Sequence, residues 1–479
     1  MMSRFSDTPI ETFVRVEPSR DEQLFSVVIG GLVAGACADA LGWVTEFMRS
    51  PVSISRQLNV DVLTDYVGWR KKVGGRFNTY IDFIGPGEYS DDTQLALAVA
   101  RSLRGDGRVD HDYFAKHELV RWLDYARGAG RTITAAAKAM SRRRSRWSAN
   151  FFTQGTLDYR RSGANGAAMR IAPISLANLR AESPPLDDIF ANAITTHGHP
   201  RAHIGALAYG AAIWEAVRRR EESLNDGPRA FLSAIVDRLR DWRPGAADVE
   251  GLSEWIRTWN SANGSYEAAY LETVSELEEM LAIAGDRDHR GVLEKIGCFA
   301  PATKGSGIAT VAAALHLFCW HGRDVEKAII EAVNAVPADT DTIGAMVGTL
   351  AGAYAGYEEI PERWTARLQD MPYFITVGEA LTRISIGDSG TELPLRPRVL
   401  ERDLALTDIL HLLKTGDVAR DERVRHDVLG AGWIQALHAQ EIRRRGGGEM
   451  LYARVALDIG QTCQFKAHLP ADRPATGVA

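Results

Sequence analysis

Three short segments of the sequence combine carboxylates with hydroxyl groups, and each lies beside an apolar stretch. Aspartate, glutamate, serine and threonine supply hard oxygen ligands, which select magnesium, manganese or calcium over zinc. The segments therefore predict a divalent-cation site if the fold brings them together. They are Asp39 with Glu46, Ser90-Asp91-Asp92-Thr93, and Asp339-Thr340-Asp341-Thr342.

Each segment taken alone has a simpler explanation as a helix cap. A serine, threonine or aspartate before a helix accepts hydrogen bonds from the first backbone N–H groups, and the helix dipole favours negative charge there. One side chain suffices for capping, whereas the second and third segments together offer four carboxylates, whose mutual repulsion would require cations. Asp91 and Asp92 would point about 100° apart on a helix. They could therefore serve two different ions, and a bridged pair of metals is sterically reasonable.

The chain that carries these segments shows helical periodicity from about residue 21 to residue 385. In the helix that follows Asp341, apolar side chains occupy one side and a glycine recurs every fourth residue along another. Such a row lets neighbouring helices approach closely and predicts a central, tightly packed helix. No strand-rich βαβ alternation occurs, so the fold class is predicted as a large all-α bundle over residues 22–386. The glycines are Gly344, Gly348, Gly352 and Gly356.

Beyond this bundle the sequence changes character. Residues 387–399 are rich in glycine, proline and polar side chains and predict a linker. Residues 400–470 predict a small accessory α+β module. Within it, residues 404–413 have helical spacing, and alternating apolar residues on both sides of Gly460-Gln461 predict a β-hairpin. Residues 471–479 are predicted to be disordered.

The composition argues against several classes of protein. A formal net charge of −6 gives no overall attraction to nucleic acid or to anionic membranes. The four cysteines are widely spaced, which argues against a zinc cluster or a disulfide framework. The first residues lack the basic start and apolar core of a signal peptide. The apolar stretches 27–44 and 342–357 are interrupted by charge or too short to span a bilayer, so we expect buried helices and a cytoplasmic protein with no membrane partner.

Five collinear motifs resemble the ADP-ribosylglycohydrolase family over roughly residues 25–364. Five motifs in the same order are far more specific than any one of them. The all-α fold of that family agrees with the helical periodicity, and the accessory module falls outside the resemblance. The motifs are GACADALGWVTEF (residues 35–47), GEYSDDTQLALAVARSL (87–103), NGAAMRIAPISL (165–176), THGHPRA (196–202) and ADTDTIGAMVGTLAGAYAG (338–356).

The resemblance implies two magnesium ions, with manganese as an alternative, held by six side chains. It also implies that Glu46 is the family's mobile glutamate, which activates water or gates substrate entry. Catalytic roles are then expected for Glu46, Asp92 and Asp341, whereas Asp39 would have a structural role nearby. The family commonly has threonine where Ser90 stands, and a hydroxyl ligand is retained. The implied metal ligands are Ser90, Asp91, Asp92, Asp339, Asp341 and Thr342.

A second group of residues is implied in binding the ADP-ribose. Glycine and alanine in the loop 165–170 permit phosphate oxygens to approach the backbone closely, and a histidine lines the same cleft in the family. As single residues, His197 and Arg170 have simpler explanations, as a structural histidine and a surface ion pair. The implied substrate-binding residues are Asn165, Gly166, Ala167, Met169, Arg170 and His197.

The resemblance therefore implies a hydrolase that removes ADP-ribose from a modified acceptor by magnesium-assisted cleavage of the glycosidic bond at the ribose anomeric carbon. The acceptor could be a protein side chain, a nucleic acid or a small molecule. The alternative is a non-catalytic ADP-ribose-binding or immunity protein that counteracts an ADP-ribosyltransferase. Residues 68–87, which are longer than in compact relatives, could shape substrate choice. The accessory module could bind a protein or nucleic-acid target.

Overall fold

A computed structural model describes residues 19–74, 80–220, 228–246, 249–387, 390–398, 400–442 and 448–470. The helices are α1 (Arg20–Gly42), α2 (Pro51–Leu58), α3 (Asp91–Arg101), α4 (His111–Tyr113), α5 (Leu119–Trp122), α6 (Arg131–Met140), α7 (Ala172–Leu176), α8 (Leu186–Ile194), α9 (Pro200–Arg218), α10 (Pro228–Asp241), α11 (Leu252–Asn263), α12 (Tyr266–Ala282), α13 (His289–Ile296), α14 (Gly307–His321), α15 (Val325–Val333), α16 (Thr340–Ala355), α17 (Glu362–Thr365), α18 (Met371–Ser385) and α19 (Ile409–Thr415). The strands are β1 (Trp69–Val73), β2 (Tyr80–Ile84), β3 (Thr153–Gln154), β4 (Leu157–Asp158), β5 (Arg423–His426), β6 (Gly430–Glu441), β7 (Glu449–Leu457) and β8 (Thr462–Leu469). The chain is therefore mostly helical, with its largest sheet at the C-terminal end.

Helices α1 and α16 form the centre of the helical body and run antiparallel. A Cβ atom on Gly352 of α16 would lie 2.2 Å from the carbonyl oxygen of Gly30 in α1, so only glycine permits this approach. At the other end of the pair, a Cβ atom on Gly42 would lie 2.4 Å from the carbonyl oxygen of Thr340. The predicted central helix is confirmed, and the C-terminal end of α1 meets the N-terminal end of α16.

Both apolar stretches noted in the sequence are core helices. Among the described residues, α1 is the helix that is long and apolar enough, by length and composition alone, to cross a membrane. In the fold, 89% of its most apolar window is buried inside the protein. Residues 340–354 of α16 are buried throughout. The prediction of two buried helices is therefore confirmed.

The predicted all-α class needs one correction, because two small hairpins lie within the helical body. Strand β1 pairs antiparallel with β2, which places Trp69 opposite Ile84 and Lys71 opposite Asp82. Strands β3 and β4 pair over only two residues each. Segments this short produce no clear two-residue period in the sequence, and β1 itself reads WRKKV. The mostly helical architecture is unaffected.

The accessory module consists of α19 and a four-stranded antiparallel sheet in the order β5-β6-β7-β8. The predicted hairpin is confirmed, since β7 pairs with β8 and Val455 lies opposite Cys463. The helix predicted over 404–413 begins later, because Asp408 caps α19 and accepts a hydrogen bond from the backbone N–H of Leu410 at 2.9 Å. Strands β5 and β6 extend the sheet beyond the single predicted hairpin.

The accessory sheet packs directly against the helical body. Gln461, in the turn between β7 and β8, accepts a hydrogen bond from the Arg101 guanidinium at the end of α3 (2.9 Å). Phe465 of β8 packs edge-on against Tyr125, with ring centres 6.1 Å apart. Residues 390–398, which belong to the predicted linker, contain no helix or strand. The tail predicted to be disordered, residues 471–479, lies outside the described residues.

Candidate active site

Three helix ends meet at the site. The Thr340 hydroxyl at the start of α16 donates a hydrogen bond to the carbonyl oxygen of Gly42 at the end of α1 (3.0 Å). The Thr45 hydroxyl, in the turn after α1, lies 3.0 Å from the Thr340 hydroxyl. Helix α3 begins beside this junction. The three acidic segments of the sequence therefore occupy neighbouring helix ends.

Asp39 of α1 holds the start of α3 in place. Its carboxylate accepts hydrogen bonds from the backbone N–H groups of Ser90 and Thr93, each at 3.1 Å, and from the Thr93 hydroxyl at 2.5 Å. These bonds satisfy backbone donors that have no partner within the helix. Burial raises the pKa of Asp39, and the same hydrogen bonds oppose that rise. This placement agrees with the structural role expected for Asp39.

The other carboxylates converge in front of α3 and α16. One oxygen from each of Glu46, Asp339 and Asp341 lies within 4.8 Å of the others. Asp91 and Asp92, at the start of α3, are close enough for their charges to act on this group. Acidic segments that are far apart in the sequence thus share one pocket.

Burial and mutual repulsion raise the pKa values of these carboxyl groups. Burial, followed by the charge of Asp339, raises the pKa of Glu46 to about 8. Burial raises the pKa of Asp91 to about 7. The pKa values of Asp92 and Asp341 lie well above the usual range because of burial and the neighbouring carboxylates. This set of carboxyl groups can ionise completely only when positive charge is added to the pocket.

The donor set fits divalent cations. Asp92 Oδ1 is buried and has no hydrogen-bond partner within the described part of the chain, so it is available as a ligand. The charges of Lys71 and Lys304 lower the pKa of Glu46 and oppose its rise, but two ammonium groups do not balance five carboxylates. With the hydroxyls of Ser90 and Thr342, every candidate ligand is an oxygen atom, which suits magnesium or manganese.

The loop that begins at Asn165 forms a second wall of the pocket. The Asn165 side chain donates a hydrogen bond from Nδ2 to Asp339 Oδ2 (2.9 Å). Its backbone N–H donates to the carbonyl oxygen of Gly305, also at 2.9 Å. Gly166 and Ala167 follow in a short, buried 3-10 turn. Among the predicted substrate-binding residues, Asn165 contacts the carboxylates of the pocket directly, through Asp339.

Arg170 and His197 lie behind this loop. The buried Arg170 guanidinium donates to the carbonyl oxygen of Gly166 (2.6 Å) and to Asn192 Oδ1 (2.8 Å), and burial lowers its pKa to about 9. Arg170 is thus not a surface ion pair, and its buried side chain supports the loop through the Gly166 carbonyl oxygen. Nδ1 of His197 bonds to the Thr196 hydroxyl (2.8 Å). Burial lowers the pKa of His197 well below its usual value, so the ring is neutral.

Met169 is buried as well. With Asp92 and Tyr209, it lines a small cavity of about 30 Å³, which is space for about one water molecule. This position is typical of a core side chain. The substrate contacts expected for Asn165, Gly166, Ala167, Met169, Arg170 and His197 stay predictions, as do the catalytic and metal-ligand roles.

Comparison with a family profile identifies the family to which the chain belongs. The profile described as ADP-ribosylglycohydrolase matches residues 20–393. The chain belongs to the ADP-ribosylglycohydrolase family. The matched residues cover the helical body with its carboxylate pocket and end before the accessory module.

The chain is similar to several proteins that are named as hydrolases of ADP-ribosyl groups. It is 24% identical over 344 residues to the ADP-ribosyl-(dinitrogen reductase) glycohydrolase of Rhodospirillum rubrum, covering 71% of this chain and 89% of that protein. It is 25% identical to ADP-ribosylhydrolase ARH3 of Homo sapiens, covering 62% and 78% of the two chains. It is also 25% identical to the ADP-ribosylarginine hydrolase Tri1 of Serratia proteamaculans, covering 74% and 78%.

A solved structure shows the same fold. That structure, from an ADP-ribosylglycohydrolase-related protein complex, superposes with a TM-score of 0.51 at 23% identity. The superposition covers 76% of this chain and 99% of the other chain. The family recognised from the sequence motifs is therefore confirmed by profile and relatives, and the fold by this superposition.

Two lysines beside the carboxylate pocket lie outside the predicted site residues. Lys304 Nζ donates a hydrogen bond to the backbone carbonyl of Glu46 (2.7 Å). Lys71 Nζ, from β1, lies 4.4 Å from the centre of the Phe47 ring. No spacing rule links these lysines to the acidic segments, because each reaches the pocket from a separate element. The basic pair Lys71-Lys72 within residues 68–87 is the one signal that pointed to this region.

Proposed function

We propose that this protein hydrolyses the glycosidic bond between the ribose anomeric carbon and a modified acceptor, and so releases ADP-ribose. The observation that carries the proposal is the convergence of five carboxylates in one pocket, from Glu46 and from two acidic helix starts. The relatives are named as hydrolases of ADP-ribosyl groups. That shared reaction supports the same chemistry here.

We assign the positive charge that this pocket lacks to two magnesium ions, with manganese as an alternative. Asp92 Oδ1, which lacks a hydrogen-bond partner among the residues that the structure describes, and the oxygen-only donor set support the assignment. Bound ions of this kind supply Lewis acidity and lower the pKa of water. The side chains that would hold them are Ser90, Asp91, Asp92, Asp339, Asp341 and Thr342.

Glu46 is the side chain that we assign as general base. Burial and Asp339 raise its pKa to about 8 in the metal-free pocket. Bound cations would lower that pKa and leave the carboxylate able to accept a proton near neutral pH. Lys304 holds the backbone carbonyl of Glu46 and so fixes the turn after α1. In the proposed reaction, a water molecule attacks the anomeric carbon and gives one proton to the Glu46 carboxylate. The bond to the acceptor breaks, its electron pair goes to the acceptor atom, and that atom takes up a proton from solvent.

The same pocket accounts for stabilisation of the sugar during bond cleavage. Glycoside hydrolysis passes through a transition state with positive charge on the ring, and nearby carboxylates such as Asp92 and Asp341 stabilise that charge. Asn165, whose amide contacts Asp339, is placed to orient the ribose hydroxyls at this point. The products are free ADP-ribose and an unmodified acceptor.

Replacement of Asp341 by alanine tests this proposal. We expect release of ADP-ribose from a modified substrate in magnesium to fall at least about a hundredfold, because the variant loses charge stabilisation of several kcal/mol. Glu279→Ala, which removes an exposed carboxylate of α12, is the matched control and should keep wild-type activity. Unchanged activity of Asp341→Ala, both with magnesium and with a chelator, would remove the metal from the mechanism.

Calorimetry separates hydrolysis from binding without turnover. The wild-type protein with magnesium is titrated with free ADP-ribose and then assayed on a panel of ADP-ribosylated substrates. Hydrolysis of at least one substrate supports the proposal. Tight binding of ADP-ribose without release from any substrate would instead identify a binding or immunity protein.

A further inference from the structure

The β1–β2 hairpin places a cation at the mouth of the acidic pocket. Lys71 Nζ lies 4.4 Å from the centre of the Phe47 ring and 4.8 Å from that of Trp43. Burial raises the pKa values of Glu46 and Asp91, and the charge of Lys71 opposes both rises. Lys71 is therefore close to the general base and to the start of α3.

Two aromatic side chains accompany Lys71 at this mouth. Phe47 follows Glu46 directly, and 54% of its surface is exposed. Trp69 lies on the same face of β1 as Lys71, because alternate residues of a strand share a face. Its ring centre lies 6.3 Å from that of Phe47. A ligand leaving the pocket past Glu46 would meet an exposed ring and an ammonium group.

The accessory sheet holds this hairpin from its far side. Gln440 of β6 accepts a hydrogen bond from the backbone N–H of Ile81 (3.0 Å). Gln464 of β8 donates to Asp82 Oδ1 (3.2 Å). Asp82 is the cross-strand neighbour of Lys71. The position of Lys71 therefore depends on a part of the chain that lies beyond the family match.

These features discriminate between acceptors of different chemistry. An arginine acceptor carries a positive charge, which Lys71 repels. A serine acceptor offers neither charge nor a flat surface to the rings of Phe47 and Trp69. A nucleobase offers a flat ring, and the phosphates of its strand attract Lys71. Aromatic platforms combined with cations are the means by which proteins bind single-stranded nucleic acids.

We infer that the β1–β2 hairpin is the acceptor-recognition element, and that Lys71, Phe47 and Trp69 select a nucleobase in a single-stranded nucleic acid. The inference rests on the proposed function, since it names the acceptor of the same site. It also gives the accessory module a role, because its sheet holds the hairpin over the pocket mouth.

Three substrates that carry the same ADP-ribose group test the inference: a single-stranded oligonucleotide modified on a base, an arginine peptide and a serine peptide. We expect the wild-type enzyme with magnesium to have its highest kcat/KM on the oligonucleotide. Lys71→Ala and Phe47→Ala should each lower that value by about tenfold. On the arginine peptide, Lys71→Ala should lower kcat/KM much less than on the oligonucleotide, because the loss of the charge that opposes the pKa rise of Glu46 is offset there by the loss of repulsion of the acceptor.

Lys72→Ala is the matched control for Lys71→Ala. Lys72 is the next residue of β1, and its exposed side chain lies on the opposite face of the strand. Its removal takes away the same charge a few ångströms further from the pocket. We expect a loss below about threefold on every substrate, since an exposed charge at that distance is largely screened. Thermal unfolding of each variant verifies that these surface replacements leave the fold intact.

Gln464→Ala tests the role of the accessory sheet as a positioning element. We expect this variant to raise KM for the oligonucleotide while kcat stays near the wild-type value, because the hairpin loses a support and the carboxylates do not. An equal fall of kcat on all three substrates would contradict a positioning role.

Binding measurements distinguish failure of this inference from failure of the proposed function. Affinity for the modified oligonucleotide is followed by fluorescence anisotropy over a range of salt concentrations. Lys71→Ala should reduce the slope of log K against log salt by about 0.7, the value for one phosphate contact on a single strand. An unchanged slope, or a wild-type preference for the arginine peptide, would overturn the inference. If no substrate released ADP-ribose, the proposed function would be wrong. The salt dependence of oligonucleotide binding would still show whether Lys71 contacts a nucleic acid.

Discussion

Helix α3 carries buried charges at both ends, and the two ends are satisfied in different ways. At its C-terminal end, the buried guanidinium of Arg101 pairs with Glu118 at 2.8 Å and also donates to Gln461 at 2.9 Å. At its N-terminal end, Asp91 and Asp92 face further carboxylates, and one oxygen of Asp92 has no partner among the described residues. The C-terminal end of α3 therefore carries a complete ion pair, whereas the carboxylates at its N-terminal end lack enough positive charge around them to balance their own.

The difference shows that burial of charge alone does not mark a functional site. A second complete network lies nearby, where Arg127 donates to Asp82 at 3.0 Å and to Glu88 at 2.7 Å. In such networks each charge has its counter-charge inside the protein, so removal of one partner is costly. In the carboxylate pocket the counter-charge must come from a ligand. Removal of one carboxylate from the pocket should relieve the repulsion among the others and weaken the binding of cations.

The largest expected change in stability follows from breaking the complete pair. Glu118→Gln should lower the free energy of unfolding by about 3–5 kcal/mol, because Arg101 would stay buried without its counter-charge. Urea denaturation measures the change. Glu279→Gln, on the exposed surface of α12, should change stability by less than about 0.5 kcal/mol. A small effect of Glu118→Gln would mean that the two ends of α3 do not differ as described.

The matching replacement in the pocket should have the opposite sign. Asp92→Asn removes one of several repelling carboxylates, so in chelator we expect the free energy of unfolding to rise by about 1 kcal/mol or more. In the same variant, magnesium affinity should fall at least about tenfold, since an amide oxygen is a weaker ligand than a carboxylate. Thermal unfolding in chelator and calorimetric titration with magnesium measure the two effects. A less stable metal-free variant would contradict the repulsion.

The smallest expected effect is a dependence of metal-free stability on pH. Burial and Asp339 raise the pKa of Glu46 to about 8, and burial raises the pKa of Asp91 to about 7. The folded protein therefore retains protons that the unfolded chain has lost, and its stability in chelator should fall by about 1 kcal/mol or more as pH rises from 6.5 to 8. Below this window, His203 and His316 act in the opposite direction, because burial lowers their pKa values to about 3 and about 4.

Magnesium provides the control for the pH measurement. Metal ions bind the deprotonated carboxylates, so saturating magnesium should stabilise the protein more at pH 8 than at pH 6.5. Melting temperatures with chelator and with magnesium should therefore diverge as pH rises. Parallel curves would show that the pocket carboxylates are not the metal ligands.

The helical body could be predicted in advance because its signals are local. The four-residue glycine spacing of α16 predicts a close helix neighbour, and the structure places α1 there, with Gly352 against Gly30. The β7–β8 hairpin was equally visible, since strict alternation flanks a glycine turn. Strands β1 to β4 were not, because pieces of two to five residues carry too little period to be distinguished from loops.

The site could be predicted only in part, because its parts depend on long-range contacts. The acidic segments show that oxygen ligands are available, yet they do not show that Asp39 turns away to cap α3. Arg170 is a plausible phosphate contact in the sequence, but the fold buries its guanidinium against Asn192. Lys71 carries no motif at all, and it reaches the pocket through the pairing of β1 with β2.

By itself, the sequence determined the helical class, the family, and the inventory of carboxylates and hydroxyls, because these follow from residue type, period and order along the chain. Only the tertiary structure decided which of those side chains face one another. Interhelix packing at Gly42 brings the ends of α1 and α16 together, and it thereby crowds Glu46, Asp339 and Asp341 into one pocket. Electrostatic repulsion depends on separation in space, and separation along the chain does not reveal it.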